Sequence, residues 1–367
     1  MSQRILVTGS QGYLGSRLTH LLGQAGHRVS GFDTGFFRDC LIVPHDDGTV
    51  IGRDVRSLGE SDLDGIDAVV HLAGISNDPF GNLSAEQVYD PTRHYTRRIA
   101  ALCKQRKIRF IFASSCSIYG VGSALLDETA QVHPQTAYSR NKLEIEQDLA
   151  ELAGNGFNPI ALRFATAFGP SPRPRFDIVI NMLTAMAVAT GRIVLNSDGT
   201  AWRPFVHIDD ICQSIMLALD LKAGAPGEDN GLLILNVGDS AQNHRVIDIA
   251  HMVAKAVPGT GIFFAGQDTA ATDADIELIR DRKVPDGRDN RNYQVSFDRI
   301  QSVMPSFRCQ WPVAKGIAQM VEIFQSLPLR PDDFRNINYY RLQKIDHLFR
   351  AGRLDPDLHW IGQPTVS

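Results

Sequence analysis

Residues 5–15 read ILVTGSQGYLG, a short apolar run that gives way to glycines at positions 9, 12 and 15. The run predicts a buried strand, and the amphipathic stretch LGSRLTHLLGQAG (14–26) predicts a helix after it. A strand joined to a helix by Gly-x-x-Gly-x-x-Gly lets backbone N–H groups and a helix N-terminus approach a pyrophosphate, which a side chain at Gly12 would obstruct. Glycine turns after strands also serve purely structural ends, so the turn alone does not decide. Asp33 adds a second sign. It lies 18 residues after Gly15, at the end of HRVSGFD (27–33), where a carboxylate can accept hydrogen bonds from an adenine ribose. The same charge would repel a ribose 2′-phosphate, which favours NAD over NADP. Arg38 could receive that phosphate if its loop folded back, and reads otherwise as a solvated loop arginine. Asp54 and Val55, closing VIGRDV (50–55), suit either a contact with adenine or a generic acidic turn.

Outward from this turn, AVVHLAG (68–74), RFIFASS (109–115) and PIALRFATAFG (159–169) read as strands, with RRIAALCKQRK (97–107) as an intervening helix. The alternation predicts an α/β fold, a Rossmann-type doubly wound parallel sheet with a smaller C-terminal substrate-binding subdomain. Three prolines in FGPSPRPR (168–175) break regular structure and mark the crossing into that second unit. The expected division is a dinucleotide-binding domain over 1–175, rejoined by a strand and capped helix in 201–222. The substrate-binding subdomain takes 176–200 and 223–330, and a helical, peripheral extension takes 331–367.

A formal charge of −4 over 367 residues gives no electrostatic case for nucleic acid or an anionic membrane. No apolar run approaches the ~18 residues a membrane span needs, and no apolar signal segment precedes the strand that starts after Arg4. Five scattered cysteines without Cys-x-x-Cys read as reduced thiols, and a cytoplasmic location is expected. His71 and His207 sit among apolar residues with no second His or Cys at i+2 or i+4, so both read as core histidines and no metal is expected.

Chemistry concentrates in SSCSIYG (114–120) and AYSRNKLEIE (137–146). Tyr138 and Lys142, four apart on a predicted helix, share one face. A phenol with an ordinary pKa near ~10 becomes a usable base when an adjacent ammonium stabilises its phenolate. Ser115 ends a predicted strand at the carboxyl edge of the sheet, where it can share a substrate oxygen with Tyr138, or simply cap a turn.

Together TGSQGYLG (8–15), Asp33, HLAG (71–74), SSCSIYG, YSRNK (138–142), LRFATAFGP (162–170) and RPFVHIDD (203–210) resemble the extended short-chain dehydrogenases/reductases, the NAD-dependent nucleotide-sugar epimerase/dehydratase family. The resemblance implies that Tyr138 is the acid and base on a sugar hydroxyl, that Lys142 tunes it and holds the nicotinamide ribose, and that Ser115 orients the oxygen. Hydride then passes from the sugar carbon to NAD, leaving a keto sugar. The cofactor set becomes Gly9, Gln11, Gly12, Tyr13, Leu14, Gly15, Asp33, Asp54, Val55, Leu72, Ala73 and Gly74, with Tyr138 and Lys142. Ser76, Asn77, Ser117, Thr166, Arg203 and Arg288 or Arg291 are nominated for a nucleotide-diphosphate sugar. For Ser76 and Asn77 a plain loop reads equally well; the arginines could instead form surface salt bridges. In relatives the helices YDPTRHYTRRIAALCKQ (89–105) and AYSRNKLEIEQDLAELAG (137–154) would pair across a homodimer.

Departures from the family pattern narrow the reaction. The 4,6-dehydratases carry Asp-Glu directly after the catalytic Ser/Thr, and decarboxylating relatives place a glutamate where Ser117 stands; this chain has Cys116-Ser117. Neither residue replaces an acid–base pair, so dehydration and decarboxylation are disfavoured and epimerisation leads. A keto-sugar reductase using the same three residues is the alternative, and a non-catalytic dinucleotide sensor stands behind it. Thr166 replaces a common asparagine in LRFATAFGP, which puts the usual UDP-sugar contact in doubt, and Thr92 replaces another.

Overall fold

In the computed structural model of the protein, residues 2–76, 84–222, 228–229, 231–265, 291–327 and 329–362 are described. The chain opens as its periodicity predicts, with β1 (Arg4–Thr8), α1 (Tyr13–Gln24), β2 (Arg28–Phe32), β3 (Thr49–Ile51), β4 (Ala68–His71), α2 (Ala85–Arg106) and β5 (Arg109–Ser115). Then come β6 (Val121–Leu126), α3 (Ala137–Leu152), β7 (Ile160–Phe164), β8 (Thr166–Phe168), α4 (Val179–Thr190), β9 (Arg192–Leu195), β10 (Trp202–His207) and α5 (Ile208–Asp220). The remainder contributes β11 (Glu228–Asp229), β12 (Leu232–Val237), β13 (Asn243–Arg245), α6 (Val246–Ala256), β14 (Gly261–Phe264), β15 (Asn292–Val295), α7 (Asp298–Val303), α8 (Val313–Ser326), α9 (Pro331–Phe334) and α10 (Arg341–Arg350).

Eight strands form the large sheet in the order β11-β12-β7-β5-β4-β1-β2-β3, and only the short β11 runs antiparallel to its neighbour. β4 and β7 are buried at every position, as strands covered on both faces must be. Leu18 and Leu22 of α1 pack with Ile211 and Ile215 of α5 against one face; Ile99 and Cys103 of α2 pack with Ile145 and Leu149 of α3 against the other. A further core joins Leu183 of α4, Val253 of α6 and Met320 of α8 over the β9–β14 pair. β1 pairs with β2 on one side and β4 on the other, so the order reverses at β1 and opens a crevice beyond the carboxyl ends of these strands.

Three features differ from the sequence reading. PIALRFATAFG is two strands. The chain breaks at Ala165, whose N–H bonds to the Val237 carbonyl (3.1 Å), and β8 leaves the sheet to pair with β10. Hence 202–207 does not rejoin the large sheet, although α5 does pack on it. The second difference is β12, assigned to the substrate unit from its position in the chain. It lies beside β7 with Leu233 opposite Ile160 and Val237 opposite Phe164. An apolar run takes whichever strand edge offers free backbone, and spacing cannot say which. Third, the extension is not peripheral: Arg341 and Ile345 of α10 are buried, and Leu354 and Leu358 beyond it pack with Phe36, Val88 and Tyr89.

Candidate active site

The glycine turn is shaped by three separate needs. Gly9 has φ +75°, and a Cβ there would lie 2.8 Å from the Ala73 nitrogen. At Gly15 a Cβ would lie 2.0 Å from the Gly9 carbonyl oxygen, so this glycine lets α1 seat against the turn. Gly12 is the N-cap of α1, and a Cβ there would meet protein only at the Gly9 oxygen, 3.2 Å away. The space beyond belongs to a cleft that opens to solvent. Its walls include Gly9, Gly12, Asp33, Asp54, Val55 and the Leu72–Gly74 backbone, all nominated from sequence. A free helix N-terminus at a side-chain-free turn and a carboxylate at the end of β2 fit the diphosphate and ribose of NAD.

Asp33 accepts hydrogen bonds from the backbone N–H groups of Gln11 (2.9 Å) and Gly35 (2.8 Å). Burial raises its pKa, and those two donors oppose the rise. Asp54 forms the acidic turn, accepting from Arg56 N–H (2.8 Å), and it also lines the cleft. Three nominated contacts are otherwise engaged. The Gln11 amide donates to Asp47 (2.8 Å), and the buried Tyr13 hydroxyl donates to the Gly169 carbonyl (2.7 Å). Leu14 packs on the main core. Tyr13 and Leu14 thus offer a cofactor only the backbone N–H groups of the first turn of α1. Arg38 is exposed, and its carbonyl accepts from Arg173 (3.0 Å).

Thr136 caps α3: its hydroxyl accepts from Ser139 N–H (3.2 Å), which fixes the start of the helix and sets Tyr138 in its first turn. Asn141 ties the same turn to α2 by donating to the Tyr89 carbonyl (2.9 Å). One turn on, Lys142 is buried and donates to the Ala113 carbonyl (2.7 Å), two residues before Ser115. Its Nζ lies 4.6 Å from the centre of the Phe112 ring and 5.7 Å from that of Tyr138. Burial lowers the Lys142 pKa to about 8, with Glu146 partly restoring it. Tyr138 is half-buried, and Ile75 and Val88 belong both to its apolar surroundings and to the cleft wall. Ser115 Oγ accepts from Ser117 N–H (3.1 Å) at the end of β5. The expected trio therefore stands on two adjoining elements at the carboxyl edge of the sheet.

The floor beneath it is polar. Arg163 of β7 and Glu146 of α3 form a buried ion pair (2.7 Å), with Ser114 Oγ donating to Glu146 (2.5 Å) and Arg163 donating to the Tyr119 hydroxyl (3.1 Å). Cys116 is buried here, its thiol directed at the Arg163 carbonyl (3.1 Å), and burial raises its pKa well above the usual thiol value. Ser117 is buried too, and its Oγ has no hydrogen-bond partner among the described residues. A bound ligand would satisfy such a group.

The other nominated substrate residues are spread more widely. Thr166 is half-buried in β8 opposite Phe205. Arg203 is buried, donating to the carbonyls of Trp202 (2.7 Å) and Arg291, with Cζ 5.7 Å from the Tyr293 ring centre. Ser76 is exposed and accepts from Arg175 (2.5 Å). Asn77 and Arg288 lie outside the described residues. Arg175, buried and paired with Asp177 (2.8 Å), was missed because FGPSPRPR reads as a breaker, where its two arginines were the signal. Burial opposes its charge, but Asp177 and the nearby Tyr138 phenol hold its pKa raised. Thr92 lines the cleft, bonding back to the Val88 carbonyl (3.1 Å) and accepting from the Tyr95 hydroxyl (3.2 Å). His71 is a core residue held by Thr8 (2.8 Å) and Thr96 (3.0 Å), burial lowering its pKa to about 3. His207 bonds Gln319 (3.0 Å) and stacks on Trp311.

A doubly wound sheet with this turn and this acid defines an NAD-binding protein of the extended short-chain dehydrogenase/reductase type. Residues 5–238 match the NAD dependent epimerase/dehydratase family, and the chain belongs to it. It is 30% identical over 234 residues to the uncharacterized UDP-glucose epimerase YtcB of Bacillus subtilis, covering 59% of this chain and 72% of that protein. It is 26% identical over 331 residues to the ADP-L-glycero-D-manno-heptose-6-epimerase of Alkalilimnicola ehrlichii, covering 82% of this chain and all of that one. Among solved structures, MoeE5 in complex with UDP-glucuronic acid and NAD superposes with a TM-score of 0.69 at 25% identity, covering 88% of this chain and 99% of that one.

Proposed function

We propose that the protein is an NAD-dependent epimerase of a nucleotide-diphosphate sugar, working through a transient keto sugar with Ser115, Tyr138 and Lys142. The observation that carries this reading is the buried Lys142 ammonium, held between the Ala113 carbonyl and the Tyr138 ring beside a cleft that fits NAD. When bound, NAD supplies a reversible hydride acceptor. Tyr138 takes the proton from the sugar hydroxyl and gives it back, Lys142 stabilises the phenolate, and Ser115 Oγ orients the reacting oxygen. The Cys116 thiol, raised well above its usual pKa by burial, is no acid or base at neutral pH, which counts against dehydration. The epimerases among the relatives support the same class of reaction. The sugar contacts in this proposal are Ser117, Thr166 and Arg203, of which Ser117 carries a buried hydroxyl without a hydrogen-bond partner among the described residues.

The test is incubation with a panel of nucleotide sugars and no added nicotinamide dinucleotide. Repeated turnover to an isomer of unchanged mass is expected. A strict need for stoichiometric NAD(P)H would replace the epimerase with a reductase, and a product lighter by one water would replace it with a dehydratase.

A homodimer through α2 and α3 is part of this proposal, by resemblance. Within the chain these helices are cross-linked by Arg93 and Arg97 to Asp148 (2.7 and 2.6 Å), which makes them one rigid slab. Light scattering should give about twice the 40.5 kDa chain mass, and a mass of one chain would remove the dimer. No helix among the described residues is long and apolar enough to cross a membrane, and all five cysteines are unpaired; the latter supports a reducing, cytoplasmic setting.

A further inference from the structure

The cleft has a wall that no dinucleotide motif accounts for. Asp357 and Leu358, from the C-terminal extension, line it together with Asp54 and Val55. This segment is fastened at several independent points. Arg56, whose guanidinium already grips Asp54 (Nε to Oδ2, 2.9 Å), donates onward to the carbonyls of Asp357 (2.5 Å) and Leu358 (3.0 Å). Gln87 at the start of α2 donates to the Pro356 carbonyl (2.9 Å), and Trp360 Nε1 donates to the Thr34 carbonyl next to Asp33 (2.7 Å). Trp360 also packs on Phe36, with ring centres 5.5 Å apart.

Leu358 is held in a conformation leucine rarely adopts, φ +60°, yet the residue is 4% exposed. Left-handed backbone at a residue with a Cβ persists only where the surroundings impose it. Here they do, because Leu354, Leu358, Ile345 and Leu348 share one apolar cluster with Phe36 and Val88, and that cluster reaches Tyr138. The extension is anchored further back as well, by Lys344 to Asp39 (2.9 Å) and by Arg341 to the Arg173 carbonyl (3.0 Å).

We propose that the C-terminal extension is a component of the cofactor site: residues 355–361 form the outer wall of the subsite for the adenosine half of NAD and retain the dinucleotide between turnovers. This rests on the reading of the cleft as the NAD site. Val55, Phe36 and Leu358 supply the flat apolar surroundings a purine ring takes, while Asp33 takes its ribose. Release of NAD then requires the strap to detach, which suits a reaction that returns its hydride in place and never exchanges the dinucleotide.

The experiment measures exchange of bound NAD for labelled NAD in the full-length protein, together with the affinities for AMP and for nicotinamide mononucleotide. Trp360→Ala removes the anchor. Leu358→Gly removes the wall while suiting the left-handed backbone, so it leaves the chain path intact. Both variants should release NAD roughly ten-fold faster and bind AMP roughly ten-fold more weakly, with nicotinamide mononucleotide unaffected. Unchanged NAD release and AMP affinity in Leu358→Gly would overturn the strap while leaving the NAD site standing. Equal weakening of AMP and nicotinamide mononucleotide would also overturn it, since the effect would not be local to adenosine. An unaltered protein that binds neither NAD nor AMP would overturn the cleft assignment itself.

Discussion

A Tyr138→Phe variant is expected to keep its NAD and lose turnover by about 10²-fold or more, the scale of a removed acid–base group. Phenylalanine retains the ring that packs 6.2 Å from Tyr89 and leaves Lys142 on the Ala113 carbonyl, so the fold and the cleft are spared. Only the hydroxyl is lost. Nucleotide content after purification reports cofactor retention, and product formation from the active nucleotide sugar reports turnover. Activity within a few-fold of the parent would remove Tyr138 from the chemistry. At neutral pH Lys142, lowered only to about 8 by burial, remains mostly an ammonium, so its charge is available to the phenolate.

Breaking the Arg163–Glu146 pair should be strongly destabilising. Both side chains are buried, with Arg163 bonded to both carboxylate oxygens and to Tyr119. Burial opposes the guanidinium charge, and Glu146 more than offsets that, leaving the Arg163 pKa raised. Arg163→Met strands the carboxylate of Glu146 in the interior at a cost of about 3–5 kcal/mol, a large part of the ~5–15 kcal/mol that holds a typical domain together. The double variant Glu146→Leu/Arg163→Met should recover part of the loss, because the stranded carboxylate is gone while Lys142 loses the Glu146 charge that supports its ammonium. Urea unfolding of the three proteins measures both terms. A loss under about 1 kcal/mol in the single variant would mean that the pair is not isolated from water as its burial implies. Since Glu146 lies one turn beyond Lys142 on α3, the single variant should also impair turnover.

Much of this site was legible because its chemistry is local in the chain. Gly9, Gly12 and Gly15 fall within seven residues between the end of β1 and the first turn of α1, and Tyr138 and Lys142 lie four apart on α3, so spacing alone brings each set together. Asp33 was legible because β2 is short and regular. What escaped was long-range. Arg56 reads as an ordinary loop arginine until residues 357 and 358 arrive to accept its hydrogen bonds. Tyr13, inside the glycine motif, spends its hydroxyl on Gly169, a partner 156 residues away. Arg175 is hidden in a proline-rich break that periodicity scores only as a loss of structure.

By itself the sequence determined the glycine-rich strand–turn–helix, the acid at the end of β2, the shared helical face of Tyr138 and Lys142, and the alternation that makes the sheet parallel. Tertiary structure alone decided that β12 joins the large sheet, that β8 leaves it, and that Asp357 and Leu358 line the same cleft as Asp54 and Val55. The reason is physical: backbone periodicity and glycine sterics act over a few residues and are written in order. The choice of which strand edge or apolar face a distant segment covers is settled by competition among all the surfaces left to bury.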